Sequence, residues 1–494
     1  MGEVAETYTV DDALISLGFG KFQTFVLIYS GVAYAAEAME VMILSFIGSA
    51  VQSKWNLSPH EKSLISSVVF AGMLVGAYSW GVVSDNYGRR QVGFLFTALV
   101  TSGVGFLSTF SPNYIALVIF RFFVGVGLGG GPVLFSWCLE FVPAPNRGAW
   151  MVVFSFFWSI GTILEASLAW AIMPTLGWRW LLALSSLPSF LLLIFYAFTP
   201  ESPRYLCMKG RKSDALRVLE SMARMNKKAL PSGELTSDRK ADPQDFDENT
   251  QRAHAEQVRK AGSSFGEDVA SKVKCVGSLY KLLSPKLIRT TLLLWMGFFG
   301  NAFTYYGVIL LTSGLSDGNS KCRSTTSHNS TKEGTRLYKD VFITSLAELP
   351  GLFLSAVIVD RIGRKLSVAT MLVITFAFLL PLIFHHKELT TTALLFCARI
   401  CITGSITTLS IYAPEIYPTS VRSTGYGTAN SFGKIGGIIC PIVAVGLVDD
   451  CHLLAAVLLF EGVIFLTGLA VILFPFETKG CELKDSVESS VSPA

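Results

Sequence analysis

Long apolar runs separated by short polar breaks organise this chain. The runs fall at 23–50, 63–84, 92–110, 114–139, 148–173 and 178–199, then at 289–312, 339–359, 367–385, 391–413, 424–447 and 452–474. A helix that crosses a bilayer needs about 20 mostly apolar residues, so each run predicts one span. The expected fold is an all-α membrane protein of twelve transmembrane helices, with bundles at 23–199 and 289–474. Tails occupy 1–22 and 475–494, and a polar linker covers 200–288. The middle of the linker, "PSGELTSDRKADPQDFDENTQRAHAEQ", is too polar to bury a core. Near its start, "SDALRVLESMARM" sets Leu216, Leu219 and Met222 on one helical face, with Ser213 or Asp214 as cap. That pattern predicts a short helix lying on the membrane surface, with a solvated linker helix as the alternative.

The polar breaks repeat. "GVVSDNYGRRQ" (81–91) returns as "AVIVDRIGRKL" (356–366), with Asp85 and Asp360, and Arg89 and Arg364, each 275 residues apart. "EFVPAPNRG" returns as "EIYPTSVRS" at the same offset, matching Glu140 to Glu415 and Arg147 to Arg422. Two unrelated motifs sharing one offset mark a duplication, and predict two pseudo-symmetric six-helix bundles. Asp85, Arg89, Arg90, Glu140 and Arg147 in one half, and Asp360, Arg364, Glu415 and Arg422 in the other, are expected to cap helix ends and pair as a gate. Exposed pairs of this kind are worth about 0–1 kcal/mol each, weak enough to break in every cycle. The alternative role is loop anchoring.

Composition narrows the class. Of 494 residues, 51% are hydrophobic and 15% charged, against about 25% charged in soluble domains. The net charge of +4, with no basic run interleaved with aromatics, argues against nucleic-acid binding. No CxxC pair occurs, and no cofactor or metal is expected. The acidic N-terminus is not a cleavable signal peptide, and Glu6 removes the myristoylation pattern. Lys and Arg collect at the charged turns and at both ends of the linker, which predicts cytoplasmic termini and linker. The opposite side holds "NST", with Asn329 as a glycan acceptor. Cys322 and Cys451 share that side, as a disulfide or as two unrelated thiols.

These residues resemble a family. "GxxxDxxGRR" and "RFFVG", with Arg121 and Gly125, resemble the major facilitator superfamily, and "PESPR" (200–204) and "PFETKG" (475–480) its sugar-porter branch. "AAEAMEV", "FFWSIGTILEASLAWAIMPTLGWRW" and "TSLAELPG" resemble the synaptic-vesicle transporter-like group, which includes plant organic cation/carnitine and nicotinate transporters. The second half departs at Ala356, where the first has Gly81, and at Thr403, where the first has Gly125, so helix contact is expected to be looser there.

Ionisable side chains inside a membrane cost roughly 2.5–3.5 kcal/mol each, so those present need reasons. The first span carries Glu37 and Glu40 on one face, the fourth Arg121, the fifth Glu165, the eighth Glu348, the eleventh Lys434 and the twelfth Glu461. Counted from the helix ends, Glu40 and Glu37 lie about 15–20 Å deep and Arg121 about 10 Å. An acid–arginine pair follows, and the resemblance to proton-coupled sugar porters matches Glu37 to the coupling acid and Arg121 to its partner. A carboxylate that loses and regains an arginine binds and releases a proton; a permanent structural ion pair is the alternative. Glu40 would then couple as well or attract a cationic substrate. Glu165 either binds a cation or pairs with Lys434, and Lys434 holds an anionic carboxylate or neutralises an acid. Glu348 precedes Pro350, which predicts a kink, and Glu461 is expected to pair with another helix. Phe156, Phe157, Trp158, Asn301, Tyr305 and Tyr306 are candidate pocket walls, with Asn301 and Tyr305 on one face.

The function expected is secondary transport of a small organic ion, nicotinate-like or organic cation/carnitine-like, by alternating access with protons. An uncoupled facilitator and a non-transporting sensor are the alternatives, and an enzyme is not expected. The partners expected are the organic ion, protons and the lipid bilayer, around a monomer in the plasma membrane.

Overall fold

The computed structural model describes residues 7–143, 147–236, 282–285, 287–321, 330–384, 388–417, 422–449 and 452–478. Ten helical stretches are long and apolar enough to cross a membrane: Lys21–Trp55, Gln91–Phe110, Tyr114–Leu139, Trp150–Ile172, Trp178–Phe198, Ile288–Thr312, Tyr338–Val359, Arg364–Ile383, Leu389–Ile416 and Leu454–Ile472. Helices Pro59–Tyr87 and Arg422–Asp449, of 29 and 28 residues, supply the second and eleventh spans. The fold is therefore all-α, with twelve helices in the two-half arrangement. Ile115, Ile194, Phe353 and Phe465 lie exposed on its outer faces. Water would penalise so much bare hydrocarbon, and lipid accepts it.

The duplication is visible as one staple built twice. The second span ends at Gly88 (φ 108°) and the eighth at Gly363 (φ 91°), 275 residues later. Only glycine takes that backbone without strain. A Cβ at either position would also strike a carboxylate, that of Glu201 or Glu477. Each carboxylate sits on the first turn of the next helix. Glu201 accepts from the Arg90 amide at 3.1 Å, and Glu477 accepts from the Arg364 and Lys365 amides at 2.7 and 2.9 Å. Negative charge at a helix N-terminus satisfies free N–H groups and complements the dipole. Arg89 Nε then stands 3.6 Å from Glu140, and Arg364 Nε 3.2 Å from Glu415. Burial raises the Glu201 carboxyl above the usual range, while backbone hydrogen bonds from Ser202 and Arg90 draw it back. The side chains of Asp85, Arg147, Asp360 and Arg422 lie outside the described residues, as do Asn329, Cys322 and Cys451.

The described staple contacts stay within one half. Contacts between halves lie at the centre and toward the other end, where the second span packs on the eleventh and the fifth on the eighth. Ser67 Oγ donates to the Ile438 carbonyl at 2.8 Å, and the rings of Phe46 and Tyr338, Phe70 and Tyr306, and Trp170 and Phe342 meet across the seam. The halves are thus closed at the end remote from the charged turns. Looser contact at Thr403 is not what the structure has: Gly351 provides the close approach, since a Cβ there would lie 2.6 Å from the Ile400 carbonyl.

The linker helix runs Lys212–Asn226, so Ser213 and Asp214 lie in its first turn and not at its cap. Its buried face is Ala215, Leu219, Met222 and Ala223, in one apolar cluster with Ala13, Leu14 and Leu17 of the helix Val10–Leu17. Apolar residues at helical spacing found protein to cover them. Asn226 accepts from the Phe22 amide at 3.0 Å, tying this helix to the start of the first span.

Candidate functional site

Two buried ion pairs, one in each half, set the geometry. In the first half Arg121 and Glu40 are both fully enclosed, with Nη1 3.0 Å from Oε2. Arg121 Nη2 also donates to Ser108 Oγ at 2.6 Å. The arginine's partner is therefore Glu40, not Glu37. Glu40 is one turn nearer the remote end of the span, which is the end where Arg121 sits. Glu165 joins this cluster: its carboxylate accepts from Ser185 at 2.8–2.9 Å and feels the charges of Glu40 and Arg121. It does not pair with Lys434, because it points into its own half and is fully buried there.

Glu37 is half-buried, with its carboxylate in the space that Gly131 leaves by having no side chain. Across the seam Lys434 is also half-buried, and the two feel each other's charge without closing an ion pair. Glu37 also acts on Tyr34 and Tyr306. The rings of Tyr34 and Trp158 meet at 5.0 Å, forming an aromatic wall beside it.

In the second half Glu348 pairs with Arg399, which carried no expectation. Arg399 Nη2 lies 2.7 Å from Glu348 Oε1, with neither residue exposed. The Tyr305 hydroxyl donates to the same oxygen at 2.7 Å, Thr162 Oγ1 reaches the other at 3.1 Å, and Trp158 Nε1 donates to the Tyr305 hydroxyl at 2.8 Å. Fifth-span residues of one half are thereby bonded to seventh- and eighth-span residues of the other. The helix containing Glu348 is interrupted at Ala347, three residues before Pro350, where the missing N–H leaves a carbonyl unpaired. A signal for Arg399 existed: "RICIT" stands to Thr403 as "RFFVG" stands to Gly125, so Arg399 is the repeat mate of Arg121.

Other candidates lie elsewhere. Asn301 donates to the Gly297 carbonyl at 2.9 Å and accepts from Ser405 at 2.6 Å, so its amide joins the seventh span to the tenth. Phe157 presses on Gly31 inside the first half. Both carboxylate oxygens of the buried Glu461 lack a hydrogen-bond partner, against the expected pairing with another helix. The space between the halves has contracted to a cavity of ≈ 10 Å³, lined among others by Met42, Ser45, Phe70, Trp158, Thr162 and Tyr305. That is room for about one water.

Residues 22–488 match the family described as "Sugar (and other) transporter". The chain belongs to this family. It is a membrane transporter of the major facilitator superfamily, in the synaptic-vesicle transporter-like group. It is 58% identical to organic cation/carnitine transporter 7 of Arabidopsis thaliana, with 98% of each chain covered. It is 35% identical to the synaptic vesicle 2-related protein of Xenopus laevis, over 97% of this chain and 83% of that one. Among solved structures it shares its fold with the xylose transporter XylE from E. coli in a partially occluded inward-open conformation. That likeness has a TM-score of 0.69 at 16% identity and covers 94% of this chain and all of the other.

Proposed function

We propose that this protein is a proton-coupled transporter of a small organic cation or zwitterion, alternating access about the seam that Glu37, Trp158, Tyr305 and Lys434 line. The observation that carries the coupling is the fully buried Glu40–Arg121 pair beside Glu165. An enclosed carboxylate held by arginine stays ionised; once the pair opens, leaving the charge unpaired becomes too costly and a proton binds. Rocking of the halves would open and close the pair, so Glu40 carries the proton, Arg121 discharges it, and Glu37 faces the substrate. Glu37 and Glu348 are acids, and Tyr34, Trp158 and Tyr306 are ring faces that attract cations. The organic cation/carnitine name of the 58%-identical relative supports that substrate class. The Lys and Arg of the charged turns place those turns, the termini and the linker in the cytoplasm.

Reconstituted liposomes test the reading. With an inward proton gradient, the wild type should concentrate one of carnitine, trigonelline, nicotinate or tetraethylammonium. Glu40→Gln should abolish concentration while keeping exchange of labelled for unlabelled substrate. A Glu40→Gln protein that still concentrates substrate with an unchanged pH profile would exclude this coupling role.

A further inference from the structure

Arg399 is the group whose bonding the described fold leaves unfinished. Its Nε and Nη2 both converge on one oxygen, Glu348 Oε1, at 3.3 and 2.7 Å. Glu348 spends its other oxygen on Thr162. Arg399 Nη1 is buried and has no hydrogen-bond partner. Guanidinium carries its donors in a fixed fork that matches a carboxylate, and a buried donor without an acceptor costs about 1–3 kcal/mol. Met42, whose sulfur lies 3.9 Å from Arg399 Nη2, also lines the cavity between the halves, as do Thr162 and Tyr305. The unfinished donor therefore belongs to a side chain at the cavity wall.

The charge inventory at the seam points the same way. Glu37 and Glu348 are balanced by Lys434 and Arg399, while Glu40, Arg121 and Glu165 form a separate cluster within the first half. A ligand of zero net charge with separated ends keeps that balance. Building on the transport reading above, we propose that the substrate is a small zwitterion. Its carboxylate is anchored by Arg399 Nη1, and its cationic end faces Glu37 and the wall of Tyr34 and Trp158. Because the closed cavity holds about one water, the carboxylate enters when the Trp158–Tyr305 and Thr162–Glu348 bonds between the halves part. Arg399 is then free to divide its fork between Glu348 and the ligand.

Matched ligand pairs that differ in the carboxylate test this: trigonelline against 1-methylnicotinamide, and carnitine against choline, bound to purified full-length protein. The wild type should favour the carboxylate member of each pair by roughly 10- to 100-fold, the range of a hydrogen bond to a charged group. Arg399→Gln alone would strand Glu348, so the companion variant is Arg399→Gln/Glu348→Gln, which removes both charges and should stay monodisperse. In either variant the preference should vanish, and Arg399→Lys should restore part of it. Equal binding of both members by the wild type, or a retained preference in the double variant, overturns the anchor. Failure of the transport reading looks different: carboxylate-selective binding with no counterflow in liposomes. Loss of both signals refutes both.

Discussion

Replacing Arg121 by methionine removes a fully enclosed cation and keeps most of its volume. Glu40 loses the partner at 3.0 Å, Ser108 loses a donor at 2.6 Å, and Glu165 loses the cation that offsets Glu40. Removing one member of a buried pair costs about 3–5 kcal/mol, since the other charge remains without compensation. Removing both, as Glu40→Met/Arg121→Met, replaces the pair with apolar atoms and should come within about 1 kcal/mol of the wild type. The two single variants and the double form a cycle whose coupling should be about 3 kcal/mol or more. SDS-titrated unfolding in mixed micelles, followed by tryptophan fluorescence, measures each corner. A loss below about 1 kcal/mol in Arg121→Met, or a double variant as poor as the sum of the singles, would refute the description of Glu40 as dependent on Arg121. Transport should fail in the double variant even though it folds, which separates the two roles of the pair.

Two further outcomes follow from the geometry. Ser67→Cys with Ile438→Cys places thiols at the remote seam, where the Ser67 hydroxyl now lies 2.8 Å from the Ile438 carbonyl. Oxidation should lock that end shut and stop uptake, reduction should restore it, and full uptake by the crosslinked protein would rule out opening there. Gly363→Ala forces a side chain onto a backbone at φ 91° and into the Glu477 carboxylate. It should cost roughly 1–3 kcal/mol of stability, read by the same micelle titration, with Gly88→Ala showing a matching loss.

Much of this molecule was written in one dimension. Span count, the two halves and the repeated charged turns follow from hydropathy and from an offset of 275 residues. These are local or periodic properties, and lipid enforces them on any chain that enters it. That the intramembrane charges would need partners was equally legible, because burying an unpaired charge is expensive wherever it happens. The choice of partner was not. Glu37 and Glu40 are three residues apart on one helical face, and helix rotation and depth gave Arg121 to Glu40 and left Glu37 to the seam with Lys434. Arg399 looked like one more polar residue in an apolar run until the eighth and tenth spans brought it to Glu348. Glu201 and Glu477 stood in quoted motifs, yet their capping role depended on the third and ninth helices starting beside them. Pairings between distant segments are decided by helix packing at the scale of an ångström, because a carboxylate either reaches a donor at 3 Å or does not.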